Sequence, residues 1–397
     1  MCSKKLKLAV FLDADISGGG GFQTQISSIL ELKNLERYSV SIFTFSRKNI
    51  EQLTDYGLSG FLIKRSIFSK FCRFFSHNLY SFFLVRKLKI LSKFEKDLIR
   101  YNIDLVYFLS PSFLALELVR LKYIFTIWDL CHRDSPEFPE VSNYRMFEQR
   151  EFLYTLAPKK AIAVITDSEA GRKNAIARYG LDHNRVYAVS FSPSENIKIN
   201  PSKEIRKKYE INGEYIYYPA QLWPHKNHIY IIDCIQILRE SGIEISAIFS
   251  GSDKGNLSHV LNYAKKNKVD DLIKYIGFAP NNLISSLYKN ALALTMPTYF
   301  GQTNIPPLEA FSLGTPVIYS DLDGIRDQVG NAALLCDLSN PMSMAKHIES
   351  LLTSKSLRHE LAEKGYKRLK DLRSKSMSET LSKVLDDYEI KSRCWSD

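Results

Sequence analysis

The feature that most constrains the fold is a regular alternation of short apolar runs with segments of helical periodicity. This alternation is typical of α/β proteins, in which helices cover both faces of a mostly parallel sheet. In the second half it predicts helices at 228–240, 257–266, 282–289 and 308–313, and strands at 215–219, 244–249, 273–276, 291–296 and 317–319. The first half repeats the pattern, with strands predicted at 6–12, 40–45, 103–109, 123–127 and 161–166.

The chain of 397 residues is longer than one hydrophobic core usually supports, so we expect two domains. Around residues 192–201 the pattern loosens into polar residues with two prolines, which indicates a boundary. The prediction is an α/β protein with two Rossmann-like domains that face each other across a cleft. We assign residues 1–195 to the first domain and 205–375 to the second. Packing of a C-terminal helix, 376–397, back on the first domain is a further hypothesis.

The formal net charge of +11 indicates an anionic partner: nucleic acid, an anionic membrane surface or phosphorylated substrates. The six cysteines are scattered without a CxxC pair, which argues against a zinc site and a disulfide framework. The first apolar run is too short, and too soon interrupted by charge, for a signal peptide or a membrane span. We therefore expect a cytoplasmic protein.

A basic aromatic block, residues 61–93, contains eight lysines and arginines, no acidic residue and many interleaved aromatic residues. Such a surface suits an anionic bilayer or a lipid-linked phosphate. It equally suits stacking on single-stranded nucleic acid, or aromatic residues that pack inward beneath a solvated basic face. We expect peripheral association with the inner face of the cell membrane.

Four consecutive glycines, 18–21, separate the first predicted strand from a helix, and they allow a ligand to approach the backbone closely. The loop is neither GxGxxG nor a P-loop, and we interpret it as a flexible active-site loop. Asp13 and Asp15 form an Asp-x-Asp pattern that can hold a divalent metal under a diphosphate. No second acidic cluster accompanies the pair, so we expect no metal cofactor.

Polar residues directly follow the strand at 123–127, where open parallel sheets bind ligands. Asp129, His132 and Arg133 are therefore candidate site residues, although a single histidine in a loop is more often structural.

The stretch 296–311 predicts a strand, a loop with turn-forming residues, and a helix that ends at Gly314. The N-terminus of a helix captures anions through its backbone N–H groups and its dipole. A carboxylate beside it, Glu309, suits sugar hydroxyls rather than phosphate. Two interpretations fit: a site for a nucleoside diphosphate with its ribose, or an ordinary turn with a dipole-favoured glutamate.

Several motifs of the second half stand in order and at fitting spacing, and they are Ala220–His228, Gly277–Pro280, Pro297–Ala310, Gly314–Ile318 and Gly324-Ile325. Together they resemble the retaining nucleotide-sugar glycosyltransferases of family four, which have the GT-B fold. The first half resembles that family more loosely, through its glycine loop, Trp128-Asp129 and Asp167-Ser168-Glu169.

The resemblance implies a role for individual positions. Lys226 matches the basic residue that neutralises the donor diphosphate, and Glu309 matches the glutamate that holds the ribose. Backbone N–H groups around Asn304 and Ile305 are expected to bind the diphosphate. The implied catalytic residues are Lys226, Asp129 and His132. The implied donor-binding residues are Gly19, Gly20, Gln221, Lys226, Gly251, Phe278, Gln302, Thr303, Asn304, Ile305 and Glu309.

Two positions depart from the family pattern: Gln221 stands where a phosphate-binding arginine is usual, and Gly301 stands where the first of two glutamates is usual. The first departure leaves Lys226 as the main positive charge at the diphosphate.

The implied function is retaining, metal-independent transfer of a sugar from a nucleotide-diphosphate sugar to a glycan or lipid-linked acceptor, in cell-surface polysaccharide synthesis. The first domain is then the acceptor-binding one. The alternatives are a nucleotide-sugar epimerase with the same fold and a non-catalytic nucleotide-sugar-binding scaffold. A nucleic-acid partner explains the charge but not the second half, so we expect none.

Overall fold

The computed structural model describes residues 5–13, 20–64, 91–193, 197, 205–301, 303–373 and 377–395. The chain divides into two compact units of similar size. Unit 1 comprises Met1–Arg133, Asn143–Ser190 and Lys375–Asp397. Unit 2 comprises Asp134–Ser142 and Phe191–Ser374.

Unit 1 is built on a parallel sheet with the strand order β3-β2-β1-β4-β5-β6-β7. The strands are apolar on both faces because helices cover the sheet from both sides. They are β1 (Lys7–Leu12), β2 (Ser39–Thr44), β3 (Gly60–Leu62), β4 (Leu105–Phe108), β5 (Lys122–Ile127), β6 (Ala163–Thr166) and β7 (Val186–Ala188).

The first helices of the chain alternate with these strands, and they are α1 (Gly20–Lys33), α2 (Arg47–Thr54), α3 (Lys93–Arg100), α4 (Cys131–Asp134), α5 (Pro139–Ser142), α6 (Met146–Lys160) and α7 (Glu169–Tyr179). Two of these helices have serine N-caps: the Ser92 side chain accepts from a backbone N–H of α3, and the Ser168 side chain accepts from one of α7. Single 3₁₀ turns lie at Phe113–Glu117, Asn143–Arg145 and His183–Arg185.

Unit 2 has a parallel sheet with the strand order β10-β9-β8-β11-β12-β13, over one continuous core. Its strands are β8 (Tyr215–Pro219), β9 (Ser246–Ser250), β10 (Ile273–Tyr275), β11 (Ala293–Met296), β12 (Val317–Ser320) and β13 (Leu334–Cys336). Its helices after the short α8 (Ile205–Lys208) are α9 (His228–Glu240), α10 (Leu257–Lys266), α11 (Asn281–Lys289), α12 (Ile305–Leu313), α13 (Asp323–Val329), α14 (Met342–Thr353) and α15 (Lys355–Arg373).

The last helix, α16 (Met377–Ser392), belongs to unit 1. Leu381, Val384 and Leu385 are buried in the core of that unit, on the same sheet face as the buried side of α1. Tyr388 donates a hydrogen bond to the Asp104 carbonyl at 3.2 Å.

The α/β class and the two Rossmann-like sheets are as predicted from the sequence. Two stretches differ from the expected first domain, 1–195, because Asp134–Ser142 and the residues from Phe191 onward cluster with unit 2. For Asp134–Ser142 the reason is local: Phe138 packs against Tyr299 and Phe300, with ring centroids 5.4 Å apart in both pairs. Among the residues described, no helix is both long enough and apolar enough to span a membrane.

Candidate functional site

The strand order of unit 2 determines where its polar loops meet. The order reverses between β8 and β11, which are hydrogen-bonded neighbours with Ile216 opposite Ala293 and Tyr217 opposite Leu294. Ligands of open parallel sheets bind at the carboxyl ends of the strands at such a reversal. The loop after β8 carries Lys226, and the loop after β11 leads into α12, so both stand at this point.

Lys226 lies in a 3₁₀ turn, Pro224–Lys226, that precedes α9. The Tyr218 hydroxyl of β8 donates to the Lys226 carbonyl at 2.7 Å, which fixes the turn to the sheet. The following residue, Asn227, has a φ of 54° and so takes the left-handed conformation at which the chain enters the helix. The Lys226 ammonium donates to the Asn304 Oδ1 atom at 3.1 Å. The structure thus brings together two residues that the sequence proposed for the diphosphate.

Helix α12 begins at Ile305, three residues earlier than predicted, with Asn304 as its N-cap residue. Pro306 and Pro307 lack backbone N–H groups, so Ile305 alone supplies one among the first three helical residues. The Asn304 N–H donates to Gln328 Oε1 at 3.1 Å. The Asn304 N–H is thus engaged by Gln328, whereas the sequence placed it among the N–H groups around Asn304 and Ile305 that bind the diphosphate.

Gly301 shapes the loop before α12. Its φ of +97° lies in the region that favours glycine, and a Cβ atom there would lie 3.2 Å from Asn304 Nδ2. That amide donates to the Gly301 carbonyl at 3.1 Å and also to the Tyr319 hydroxyl. The backbone conformation at this position therefore disfavours a glutamate.

Glu309 lies one turn further along α12 than Ile305, on the same side of the helix. The Tyr288 hydroxyl donates to Glu309 Oε2 at 2.7 Å. Burial raises the pKa of Tyr288 well above its ordinary value, so the phenol stays a neutral donor. The carboxylate is thereby held in one orientation, with Oε1 as its second acceptor atom.

The loops after β9 and β10 lie at the same carboxyl-terminal end of the strands. The Gly251 N–H donates to the Gly277 carbonyl at 2.9 Å. A Cβ atom at Gly251 would lie 2.4 Å from the Ala220 carbonyl oxygen, so only glycine lets these loops pack. Phe278, which follows directly, is 60% exposed and offers a ring for stacking.

Gln221 stands beside this edge, but its side chain already has a partner. The Trp223 indole donates to Gln221 Oε1 at 2.8 Å. The carbonyl end of the amide is therefore occupied, and only its NH₂ end can reach a phosphate.

The segment Asp134–Ser142 contacts the Lys226 loop through Glu140. Glu140 Oε1 accepts from the His225 backbone N–H at 3.0 Å and from its ring Nδ1 at 2.5 Å. The imidazole stacks on Phe300, with ring centroids 3.9 Å apart. Burial of the Glu140 carboxylate is unfavourable, but the His225 hydrogen bonds outweigh it and hold its pKa below the ordinary value. Both loops of the site are therefore joined through His225.

In unit 1, Asp129 follows β5 as predicted. Its Oδ1 atom accepts from the Cys131 N–H at 3.1 Å, from the Cys131 thiol at 2.6 Å and from Arg150 Nη1 at 2.7 Å. Burial disfavours the charge, yet Arg150 and the Cys131 hydrogen bonds hold the pKa of Asp129 below its ordinary value. Asp129 is therefore an anion with a fixed orientation.

His132 has no exposed surface. Its Nε2 atom lies 2.8 Å from Glu151 Oε1, which also accepts from the Tyr179 hydroxyl at 2.7 Å. Burial lowers the pKa of His132, so the ring is neutral near pH 7. The structure places His132 among packed side chains, and its catalytic role stays a prediction.

Gly20 is the first residue of α1, and Thr303 is half-buried in the loop before α12. Gly19, Gln302 and residues 65–90 of the basic aromatic block lie outside the described residues. Within the described ranges, no group of three or more metal-ligating side chains was found. Sequence reasoning missed five partners of the site, which contact it from distant parts of the chain: Glu140, Arg150, Tyr288, Tyr319 and Gln328.

Comparison with known proteins gives a family for this site. Residues 201–368, which include every site element of unit 2 apart from Glu140, match the family model described as "Glycosyl transferases group 1". The chain carries a glycosyl transferases group 1 domain. Lys226, Asn304 and Glu309 all lie inside it.

Curated relatives match the chain at low identity. The O-antigen chain mannosyltransferase B of Escherichia coli is 24% identical over 232 residues, which are 57% of this chain and 60% of the relative. The O-antigen chain mannosyltransferase RfbU of Salmonella typhimurium is 27% identical over 203 residues, which are 50% of this chain and 54% of the relative. The chain thus matches somewhat more than half the length of these two relatives.

Solved structures match nearly the whole chain and show that the group 1 domain is part of a GT-B fold. A glycosyltransferase from Rickettsia africae superposes with a TM-score of 0.70 at 14% identity, covering 97% of this chain and 98% of the other. HepE of Anabaena, solved in complex with UDP-glucose, gives a TM-score of 0.70 at 14% identity, with 97% and 99% covered. WaaG, a glycosyltransferase involved in lipopolysaccharide biosynthesis, gives 0.69 at 15% identity, with 95% and 99% covered.

Proposed function

We propose that this protein transfers a sugar, with retention of configuration, from a nucleotide-diphosphate sugar to a glycan or lipid-linked acceptor in surface polysaccharide synthesis. The observation that carries the proposal is the Lys226 ammonium 3.1 Å from Asn304 Oδ1, at the N-terminus of α12 and at the reversal point of the sheet. Glu309 stands on the same helix for the ribose. The names of the curated relatives, two O-antigen mannosyltransferases, support the same class of product.

The leaving group of the proposed reaction is the nucleoside diphosphate. Its negative charge grows as the glycosidic bond breaks, and a fixed ammonium stabilises that charge without any reorganisation. Lys226 provides the ammonium, and the Ile305 N–H and the dipole of α12 add to its effect. We propose that no metal ion takes part, and unchanged turnover in the presence of a chelator is the expected result.

Retention needs either a carboxylate nucleophile or departure and attack on the same face of the sugar. Asp129 Oδ1 already accepts three hydrogen bonds, from Cys131 and Arg150, which makes it a weak nucleophile. We therefore propose the second path, with an oxocarbenium-like transition state, and assign to Asp129 an electrostatic role.

The acceptor is assigned to unit 1. Asp13 and Ser112 follow β1 and β4, the neighbours at which the strand order of that sheet reverses. The Ser112 hydroxyl donates to Asp13 Oδ2 at 2.7 Å. Carboxylate and hydroxyl groups at such a point suit the hydroxyl groups of a sugar acceptor.

A lipid-linked acceptor requires access to a membrane surface. Phe61 and Leu62 begin the basic aromatic block and expose 43% and 44% of their surfaces, and Tyr101, whose ring centroid lies 5.0 Å from that of Phe61, exposes 43%. Exposed rings next to a cationic segment favour an anionic bilayer. Flotation with anionic vesicles, but not with zwitterionic ones, is the expected result.

The experiment that tests the function is a thermal-shift screen against nucleotide sugars, followed by product analysis with the sugar that stabilises the protein most. We expect transfer only when an acceptor is supplied, and the anomeric configuration of the product, read by NMR, to equal that of the donor. Conversion of the donor sugar to its epimer without an acceptor would indicate an epimerase. Binding without transfer or donor hydrolysis would indicate a scaffold, an alternative motivated by Gln221 and Gly301, which depart from the family pattern.

A further inference from the structure

Gln328 is a buried residue of α13 whose side chain binds the backbone of Asn304 at both of its polar groups. Gln328 Oε1 accepts from the Asn304 N–H at 3.1 Å, and Gln328 Nε2 donates to the Asn304 carbonyl at 2.7 Å. Only 5% of Gln328 is exposed, so water competes little for either bond.

A primary amide is the one side-chain group suited to this pairing. The peptide backbone of Asn304 presents one donor and one acceptor, and the amide of Gln328 presents one acceptor and one donor at the matching spacing. A carboxylate provides no donor, and an ammonium or a thioether provides only one half of the pair at best. The pairing therefore depends on this residue type and not only on its volume.

The backbone of Gln328 is itself fixed to a second helix. Arg368 of α15 donates from Nε to the Gln328 carbonyl at 3.0 Å, and from its guanidinium to the Asp327 carbonyl. The side chain that holds Asn304 thus extends from a helix turn that is tied to the core of unit 2.

The side chain of Asn304 is oriented by the same set of contacts. Its Nδ2 atom donates to the Gly301 carbonyl and to the Tyr319 hydroxyl, which is also buried. With the amide nitrogen committed to these acceptors, Oδ1 is the atom that faces the Lys226 ammonium. A backbone held by Gln328 and a side chain held by Tyr319 together fix the Asn304 Oδ1 atom that accepts from the ammonium.

We propose that Gln328 is a positioning residue for the diphosphate: it acts through Asn304 on the Lys226 ammonium, without touching the ligand. This inference rests on the proposed function, because it names a further determinant of the same site. It requires that the loss of Gln328 weakens recognition of phosphate and leaves recognition of the nucleoside unchanged.

The test compares the variant Gln328→Met with wild-type protein by calorimetric titration, using the nucleoside diphosphate that binds best among ADP, GDP and UDP, and then its nucleoside. Tyr215→Phe is the matched control, because it removes a buried hydroxyl that donates to the Leu287 carbonyl at 2.8 Å. Tyr215 is the first residue of β8, at the end of the strand away from the site. Lys226→Met and the double variant, which combines Gln328→Met with Lys226→Met, complete a double-mutant cycle.

We expect Gln328→Met to weaken diphosphate binding at least ten-fold, to leave nucleoside binding within two-fold, and to add less than two-fold loss in the Lys226→Met background. Tyr215→Phe should leave both affinities unchanged at a comparable thermal shift. Equal losses of affinity for diphosphate and nucleoside, or fully additive losses in the double variant, would overturn this inference and leave the proposed function standing. If wild-type protein binds none of the three diphosphates, the proposed function fails and the inference fails with it.

Discussion

The Lys226 ammonium and the Asn304 carboxamide oxygen lie 3.1 Å apart although 78 positions separate the two residues in the sequence. The contact joins the loops that follow β8 and β11, the two neighbouring strands at which the sheet of unit 2 reverses its order. Asn304 is neutral, so this bond directs the ammonium without cancelling its charge. The contact thus places the ammonium beside the N-cap residue of α12.

The conformation of Gly301 gives a first prediction. Gly301→Ala places a Cβ atom 3.2 Å from Asn304 Nδ2 at a φ of +97°, so we expect at least five-fold weaker nucleotide binding and a stability loss of about 1 kcal/mol. Gly213→Ala is the matched control, since its φ is +71° and nothing lies within 4 Å of the added atom. Both variants should lose similar stability in thermal unfolding, but only Gly301→Ala should lose affinity. Equal affinities in the two variants would contradict the assigned role of the loop.

The ribose assignment gives a second prediction. Glu309→Gln replaces one carboxylate oxygen with a donor, so we expect roughly ten-fold weaker binding of the nucleoside diphosphate, which corresponds to about 1.4 kcal/mol. We expect this loss of affinity to come only from the contact between residue 309 and the ribose hydroxyls. Removing both ribose hydroxyls from the ligand should therefore weaken binding to wild-type protein and change binding to Glu309→Gln by less than two-fold. An unchanged affinity of Glu309→Gln for the intact nucleotide would rule out this contact.

The ionised carboxylate of Asp129 gives a third prediction. Asp129→Asn removes the charge that faces Arg150, and we expect kcat to fall about a hundred-fold while KM for the donor changes little. Asp97→Asn is the control within unit 1, because it also breaks ion pairs, those with Lys93 and Arg100. Steady-state kinetics should show near-normal kcat for the control. Parallel losses of kcat in both variants would mean that Asp129 only maintains the fold.

The buried imidazole of His228 gives a fourth prediction, on pH. Burial, together with the positive charges of Lys226 and His225, lowers the pKa of His228 to about 3. The unfolded chain therefore binds a proton below about pH 6.5 that the folded protein does not bind, so this residue reduces stability as pH falls from 6.5 toward 3. Each pH unit in that window costs about 1.4 kcal/mol.

His228→Phe should remove this dependence. Neither ring nitrogen has a hydrogen-bond partner among the residues described, and the ring already packs against Tyr218 and Phe249, with centroids 4.8 Å and 4.9 Å apart. The thermal midpoints of the two proteins should diverge between pH 7 and pH 5, with the variant the more stable at pH 5. Parallel curves over this range would show that the ring takes up a proton in the folded protein.

Much of the fold could be predicted from the sequence because each element of a buried parallel sheet has a local signature. The strand Tyr215–Pro219 and the helices His228–Glu240 and Leu257–Lys266 have the predicted bounds. The strands Gly60–Leu62, Val186–Ala188 and Leu334–Cys336 were missed, since three residues are too few to establish a period.

The site was only half predictable. Glu309 carries a local signal, because it lies near the start of a helix that follows a loop, and Lys226 was implied by the family resemblance. Gln328 and Glu140 carry none, since their roles arise from contacts with residues 24 and 85 positions away. The start of α12 at Ile305 was misplaced because two prolines suggest a loop, although proline is well tolerated in the first turn of a helix.

The most direct test of the central claim is the turnover of Lys226→Met with its best nucleotide sugar, compared with wild-type protein under identical conditions. The account predicts that kcat/KM falls by at least a hundred-fold, about 2.7 kcal/mol of transition-state stabilisation, while the thermal midpoint stays within a few degrees. Near-normal kcat/KM in a folded Lys226→Met protein would contradict it.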